Sequence, residues 1–219
     1  MSEASARLAG DNKYWQRVYA ASSVGESRDL YDEWASKYDD DVSAADYATP
    51  ELAAQAVTKL LRSLDRKDIT ILDAGCGTGL VGLRLKDLLD DVRFSITGLD
   101  LSEKMLAMAE VKKVYDNLQQ ADLSQPLALE SNRFDVVVCV GTLTRGHVGP
   151  SVLGEFVRVA MPGGFVVATV LDEIWESAGF KKEVDRLSHT GQVEVLGLDT
   201  IGLTRGTTAG GRMVALKKL

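Results

Sequence analysis

Thr70 to Gly79 reads Thr-Ile-Leu-Asp-Ala-Gly-Cys-Gly-Thr-Gly, a short apolar run ending in a glycine-rich turn. Glycine carries no Cβ, so Gly75, Gly77 and Gly79 permit tight turning and let a ligand lie against bare backbone. The free N–H groups that open the following helix suit polar or anionic ligand groups. A dinucleotide fingerprint would need Gly-x-Gly-x-x-Gly, and Leu80 holds the place of its third glycine. A triphosphate loop would end in Gly-Lys-Ser/Thr, where Leu80 and Val81 stand instead. The ligand is therefore neither a nicotinamide dinucleotide nor a nucleoside triphosphate. Asp73 lies two residues before the first glycine, and Asp100 closes the next apolar run, Phe94 to Leu99. An acid at the tip of a second strand accepts hydrogen bonds from both hydroxyls of a ribose. Farther on, Asp122 sits between Ala121 and Leu123, a polar acid in an apolar setting that suits the edge of an adenine.

Three runs carry this chemistry: Asp73-Ala-Gly75-Cys76-Gly77-Thr-Gly79, Gly98-Leu-Asp100-Leu101-Ser102 and Ala121-Asp122-Leu123. In that order they resemble the three cofactor motifs of the class I methyltransferases, which use S-adenosylmethionine. The resemblance covers Asp68 to Leu171. Three further runs look like the methyltransferase-like proteins related to the Williams–Beuren syndrome region methyltransferase. They are Tyr31-Asp-Glu-Trp34-Ala-Ser-Lys-Tyr38-Asp39, Gly141-Thr-Leu-Thr-Arg-Gly-His147-Val and Arg158-Val-Ala-Met-Pro-Gly-Gly164. The resemblance implies an α/β fold: a doubly wound, mostly parallel, seven-stranded Rossmann-like sheet with helices on both faces. It also implies cofactor contacts from Asp73, Gly75, Cys76, Gly77, Gly79, Asp100, Leu101, Met105, Asp122, Leu123 and Val140. An N-terminal helical lid over residues 1–48, ahead of a methyltransferase domain at 49–219, completes it.

Ligands of such sheets bind beyond the carboxyl ends of the strands, so the segment Gly141 to Pro150 faces the methyl group and its acceptor. The segment lacks Asn/Asp-Pro-Pro-Tyr/Phe, the run found in many enzymes that methylate amides or the exocyclic amines of bases. It also holds no acid, which disfavours a magnesium-dependent catechol type, and no metal is expected. His147 is one of two histidines; an imidazole that titrates near neutrality suits removal of an acceptor proton. Hydrogen bonding to backbone in a glycine-flanked loop is its other reading. Arg145 is a candidate for an anionic acceptor group, and Trp175 for a pocket wall, although a helix packed on the sheet also accounts for Trp175. His189, ahead of Gly191, reads as structural.

The elements follow from periodicity. Lys13 to Ala21 and Ser27 to Asp39 read as helices, the second with Tyr31, Trp34, Ala35 and Tyr38 on one face. That stripe fits either a core-facing helix or a lid whose rings attract a sulfonium. Asp39-Asp40-Asp41 reads as a solvated helix end, and Thr49-Pro50-Glu51 as a helix start capped by Thr49. The helix it opens bears Leu52, Ala56, Val57, Leu60, Leu61 and Leu64 on its apolar face. After the glycine turn, strand and helix alternate, the sign of a parallel sheet. Ser102 caps one helix; Val136 to Val140 is apolar throughout and reads as a strand buried on both faces. Pro150 opens a further helix, Phe165 to Leu171 is a strand, and Asp172 to His189 reads as one helix. Val193 to Leu198 and Met213 to Leu216 read as the last strands.

The 219 residues suit one α/β domain, and 45% hydrophobic with 26% charged residues is ordinary globular composition. A net charge of −7 counts against nucleic acid or an anionic membrane as partner. Cys76 and Cys139, the only two cysteines, read as reduced thiols without a disulfide or metal. No apolar run reaches the roughly 18 residues of a membrane span, no secretory leader is seen, and the first ten residues read as unstructured. A cytoplasmic methyltransferase acting on a small molecule is the leading expectation. The alternatives are methylation of a protein side chain, a non-methylating rearrangement or cyclisation, and a partner subunit. The sequence sets no oligomeric state.

Overall fold

The computed structural model describes residues 10, 12–64, 66, 68–145 and 148–219. The first nine residues, expected to be unstructured, lie outside that set. Helices α1 (Lys13–Ala20), α2 (Val24–Ala44) and α3 (Thr49–Leu61) precede the sheet. Then follow β1 (Asp68–Ala74), α4 (Leu80–Leu88), β2 (Arg93–Asp100), α5 (Glu103–Val111), β3 (Asn117–Gln120) and β4 (Phe134–Leu143). The chain closes with α6 (Val152–Val159), β5 (Ala160–Leu171), α7 (Asp172–Trp175), α8 (Phe180–His189), β6 (Val193–Gly202) and β7 (Gly210–Lys218).

The seven strands lie in the order β3-β2-β1-β4-β5-β7-β6. Strands β1 to β5 pair in parallel, whereas β7 runs antiparallel between β5 and β6. The order reverses between β1 and β4, so their carboxyl ends diverge and leave a crevice there. β4 is buried on both faces, as its run of valines requires. Val136 and Val138 join Ile69, Ile71 and Ile96 under α3 and α4, while Val137 and Cys139 face Phe156, Phe180 and Leu187 of α6 and α8. The period-two alternation of one strand thus feeds both cores.

Several local expectations are corrected. Thr49 makes no capping hydrogen bond and Ala48 is the residue ahead of α3; the helix buries Ala53, Ala54, Val57 and Leu61 most deeply, with Leu52, Ala56 and Leu60 at the margin. Gly179, in the left-handed region at φ 88°, divides Asp172 to His189 into α7 and α8. Helix α2 continues to Ala44, so Asp39, Asp40 and Asp41 lie within it rather than at a solvated end. Asp39 pairs with Lys112 and Asp41 accepts from Trp34, which is why two of these three acids are tolerated inside the helix. β4 runs three residues beyond Val140, through an irregularity between Cys139 and Leu143 where Gly141 takes φ 72°. Such a bulge bends a strand and re-aims its side chains, and here it turns Gly141 and Thr142 toward the crevice.

Candidate functional site

The glycine turn is braced by the end of β2. Leu99 carbonyl accepts from the N–H groups of Gly75 (2.7 Å) and Cys76 (2.8 Å). The carboxylate of Asp100 accepts from Gly77 N–H at 2.7 Å through one oxygen and from Ser102 N–H at 2.9 Å through the other. Gly75, Gly77 and Gly79 all have positive φ, at 76°, 53° and 90°. At Gly75 a Cβ would fall 2.1 Å from Thr142 Oγ1, so no other residue fits where the turn crosses the bulge of β4. At Gly77 a Cβ would meet no protein atom within 4 Å, and this residue lines an open cavity of about 750 Å3.

That cavity gathers most of the residues singled out from sequence. Tyr31, Tyr38, Gly75, Gly77, Asp100, Leu101, Met105, Asp122, Leu123 and Val140 line it. Gly141, Thr142, Thr144 and Val148, from the segment expected to face the methyl group, also line it, whereas Val24 and Ser27 on α2 were missed by sequence reading. Asp122 turns one oxygen to the N–H of Ser124. Burial, against backbone donors from Ser102, Gly77 and Leu101, leaves the Asp100 carboxyl above the usual carboxylate range. Each Asp100 oxygen spends one lone pair on backbone and keeps capacity for a further donor. A ribose with two vicinal hydroxyls fits that pair, and bare backbone at Gly77 admits the adjoining chain of a nucleoside.

Asp73, Cys76 and Gly79 stand behind the wall rather than in it. Asp73 is fully buried and accepts from the Tyr115 hydroxyl at 2.7 Å, while its second oxygen has no partner. Burial, opposed by the Tyr115 hydrogen bond and reinforced by Asp100, pushes its carboxyl up to about 7. Tyr115 was not found from sequence, because a lone tyrosine ahead of a short strand carries no pattern. Its ring lies within 3 Å of where Cβ atoms would stand on Gly79, Gly82 and Gly98. Two glycines at the start of α4 and one on β2 thus make room for one phenol that holds one carboxylate. Cys76 and Cys139 are buried free thiols, and burial raises both.

A second cavity of about 500 Å3 adjoins the first and shares Tyr31, Tyr38, Gly141 and Thr144 with it. Trp34 lines this one and not the first. It is 1% exposed and donates its indole N–H to Asp41 at 2.6 Å. Its ring stacks on Tyr14 and Tyr31 and meets Trp15 and Tyr38 edge-on, so it is the hub of the N-terminal aromatic cluster. Trp175 lines neither cavity; it packs in the main core with Arg212 over its ring at 5.3 Å. Arg145 forks onto Glu173 at 2.5 and 3.1 Å, which raises the guanidinium. His147 lies outside the described residues. His189 ends α8 with Nδ1 2.6 Å from the Asp185 carbonyl oxygen.

Helix α2 is fastened across the site. Asp32 accepts from the Ser102 hydroxyl and Lys104 N–H at the start of α5. Asp39 accepts from Thr78 Oγ1 at 2.5 Å and from Lys112 Nζ at 2.6 Å. Replacing Asp39 by alanine is expected to weaken this attachment by about 1 kcal/mol, the worth of a half-buried charged hydrogen bond. Limited trypsin digestion checks it: cleavage at Arg28 or Lys37 should quicken about fivefold, in proportion to the opened population. An unchanged rate would mean that the aromatic cluster alone holds α2.

Comparison with known proteins agrees with this geometry. Residues 72–168 match a family described as a methyltransferase domain. Human methyltransferase-like protein 27 is 33% identical over 187 residues, 82% of this chain and 74% of that protein. Further curated methyltransferases are matched over two thirds of their length or less. Among solved structures, a TehB-like SAM-dependent methyltransferase from Corynebacterium glutamicum aligns with a TM-score of 0.61 at 19% identity, over 86% of this chain and 98% of that one. The [4+2]-cyclase SpnF aligns with a TM-score of 0.58 at 18% identity, over 77% and 80%. At such identities the two structures speak to the fold alone. The fold, the glycine turn with its two acids, and the human relative lead to one conclusion: the chain belongs to the class I S-adenosylmethionine-dependent methyltransferases, and S-adenosylmethionine is its cofactor.

Proposed function

We propose that the chain methylates a small-molecule acceptor. The observation that carries this reading is the second cavity, walled by aromatic rings and joined to the first through Tyr31 and Tyr38. A recess lined by aromatic rings suits a small molecule, whereas a protein side chain would call for an extended groove. When bound, S-adenosylmethionine supplies a sulfonium-activated methyl carbon open to in-line displacement by an acceptor lone pair. Asp100 would take the two ribose hydroxyls, and the Gly75–Gly77 backbone would cradle the amino-acid portion. Asp73, buried behind the glycine turn, would act on the ammonium as a nearby negative charge without touching it. Leu101, Met105 and Leu123 hold the adenine between apolar walls, with Asp122 at its amino edge. Tyr31 and Tyr38, which line the same cavity, would cover the sulfonium, where ring faces favour positive charge and exclude water.

An acceptor proton has to leave. The half-buried phenols of Tyr31 and Tyr38 are raised by desolvation and remain protonated at neutral pH, so neither takes it. His147 is the proposed base; its chain neighbours Thr144 and Val148 line the cofactor cavity. His147→Gln is expected to lower kcat by about 100-fold or more, the usual share of a general base, with cofactor affinity nearly unchanged. Equal losses in both would reduce His147 to a loop residue.

The deciding experiment supplies methyl-labelled S-adenosylmethionine to the protein with a metabolite fraction and, separately, with a protein fraction. Label in small molecules supports the proposal. Label in protein alone would replace it with side-chain methylation, and cofactor binding without transfer would replace it with a non-methylating reaction.

A further inference from the structure

The second cavity has a chemistry of its own. One wall is aromatic, formed by Trp15 and Tyr19 of α1, Trp34 of α2, and Tyr47. Trp15 meets both Trp34 and Tyr47 edge-on at centroid distances of 5.2 and 6.2 Å, so the wall is already packed and rigid. The opposite wall is the carboxyl end of the sheet, where Gly141 and Gly211 present backbone without side chains. Tyr47 approaches that bare strand closely: its hydroxyl lies 2.9 Å from where a Cβ would stand on Gly141. Aromatic rings on one side face the two glycines and the side chains of Leu143, Thr169, Val170 and Leu171 on the other, a narrow slot.

Among the described residues no Asp, Glu, Lys, Arg or His lines this slot. The polar side chains of its described lining are neutral: the hydroxyls of tyrosines and of Thr49, Thr144 and Thr169, and the tryptophan indoles. The nearby Arg145 is engaged by Glu173. A permanently charged occupant would find no counter-ion among the described lining residues, which disfavours it. Aromatic faces attract cations, but a protonated amine has no lone pair with which to accept a methyl group. A flat ring that stacks against the aromatic wall satisfies both shape and charge.

We infer that this slot is the acceptor site and that it takes an uncharged, planar ring compound bearing one hydroxyl or comparable lone-pair donor at its edge. The inference rests on the proposed methyl transfer to a small molecule and narrows it to a chemical class. The donor atom enters at the end shared with the cofactor cavity, between Tyr31, Tyr38 and Thr144, and the rings lie deeper, toward Leu203. Phenolic hydroxyls that stay protonated there serve as hydrogen-bond partners, not as bases.

The test is calorimetry on protein saturated with S-adenosylhomocysteine, with 2-naphthol as the probe. Its non-planar analogue decahydro-2-naphthol and the anion 2-naphthoate are run beside it. The expected order is saturable 2-naphthol binding, about tenfold weaker binding of the non-planar alcohol, and at least about 100-fold weaker binding of the anion. Leu203→Trp fills the slot without touching the cofactor cavity and is expected to abolish 2-naphthol binding while S-adenosylhomocysteine affinity stays within about twofold. Retained cofactor affinity also shows that the variant is folded; if it is lost, Tyr47→Leu, which removes one ring of the wall, replaces it and should erase the planar preference. Equal or tighter binding of 2-naphthoate, or of the non-planar alcohol, overturns the assignment. So does cofactor binding without binding of 2-naphthol, which leaves the methyltransferase reading in place. Failure of S-adenosylhomocysteine itself to bind would remove both.

Discussion

Asp100→Asn is expected to lower S-adenosylhomocysteine affinity by about 100-fold, close to 3 kcal/mol, in a calorimetric titration. The substitution is nearly isosteric, so the loss comes from hydrogen-bond sense. Both oxygens of Asp100 accept from backbone N–H groups, those of Gly77 and Ser102. An amide must turn its NH2 toward one of these donors, and a donor facing a donor is repulsive. Either the glycine turn or the start of α5 is then released, and the strong acceptor proposed for the ribose is lost as well. Asp100→Ala should fall in the same range, since it gives up the same contacts without the clash. Affinity unchanged in both variants would refute the assignment of Asp100 to the ribose.

Asp73→Asn is expected to act on stability and binding in opposite directions. The carboxyl of Asp73 sits at about 7 in the folded protein, against an ordinary value near 3.9 in the unfolded chain. Between those values the folded state holds a proton that the unfolded state has released, so stability falls as pH rises from about 4 to about 7. Above 7 the penalty is complete and flat, on the order of 3–4 kcal/mol. Asparagine removes that slope while its carbonyl still accepts from Tyr115. Urea melts at pH 4, 6 and 8 should show the variant close to the parent at pH 4 and more stable by about 2–3 kcal/mol at pH 8, after an unmet amide N–H is allowed for. Cofactor affinity should move the other way, about tenfold weaker at pH 8, because a neutral amide is a poorer partner for an ammonium than a carboxylate. The parent should bind the cofactor more tightly as pH rises through 7, and the variant should not. A parent stability flat from pH 4 to 8 would mean that Asp73 is not held up by burial.

The part of this fold that could be read in the chain is the part written locally. The left-handed glycines of the turn, the serine cap of α5 and the doubly buried valines of β4 depend on neighbours within a few residues, so motif and period reveal them. Strand alternation with helices implied the parallel half of the sheet in the same way. The side of the helix facing the sheet could be seen as well, although Ala53 and Ala54, too small to mark an apolar stripe, turned out to be its deepest contacts.

What the chain could not announce depends on partners far along it. Asp39 and Asp41 looked like a solvated run and are instead held by Lys112, Thr78 and Trp34. Trp34 shares a helical face with Tyr31 and Tyr38, yet only the two tyrosines also reach the cofactor cavity, because Trp34 is drawn into a cluster with α1. Arg145 found Glu173, and Trp175 found the core and Arg212. The sequence by itself determined the family, the cofactor and the two acids beside the glycine turn, since that chemistry is compressed into short fixed spacings. Only the tertiary structure decided that Tyr115 steadies Asp73, that the bulge of β4 brings Gly141 and Thr142 to the crevice, and that a ring-walled slot opens beside it. Those outcomes rest on packing between segments distant in the chain, where the energy of a contact belongs to the pair and neither residue carries a mark of it.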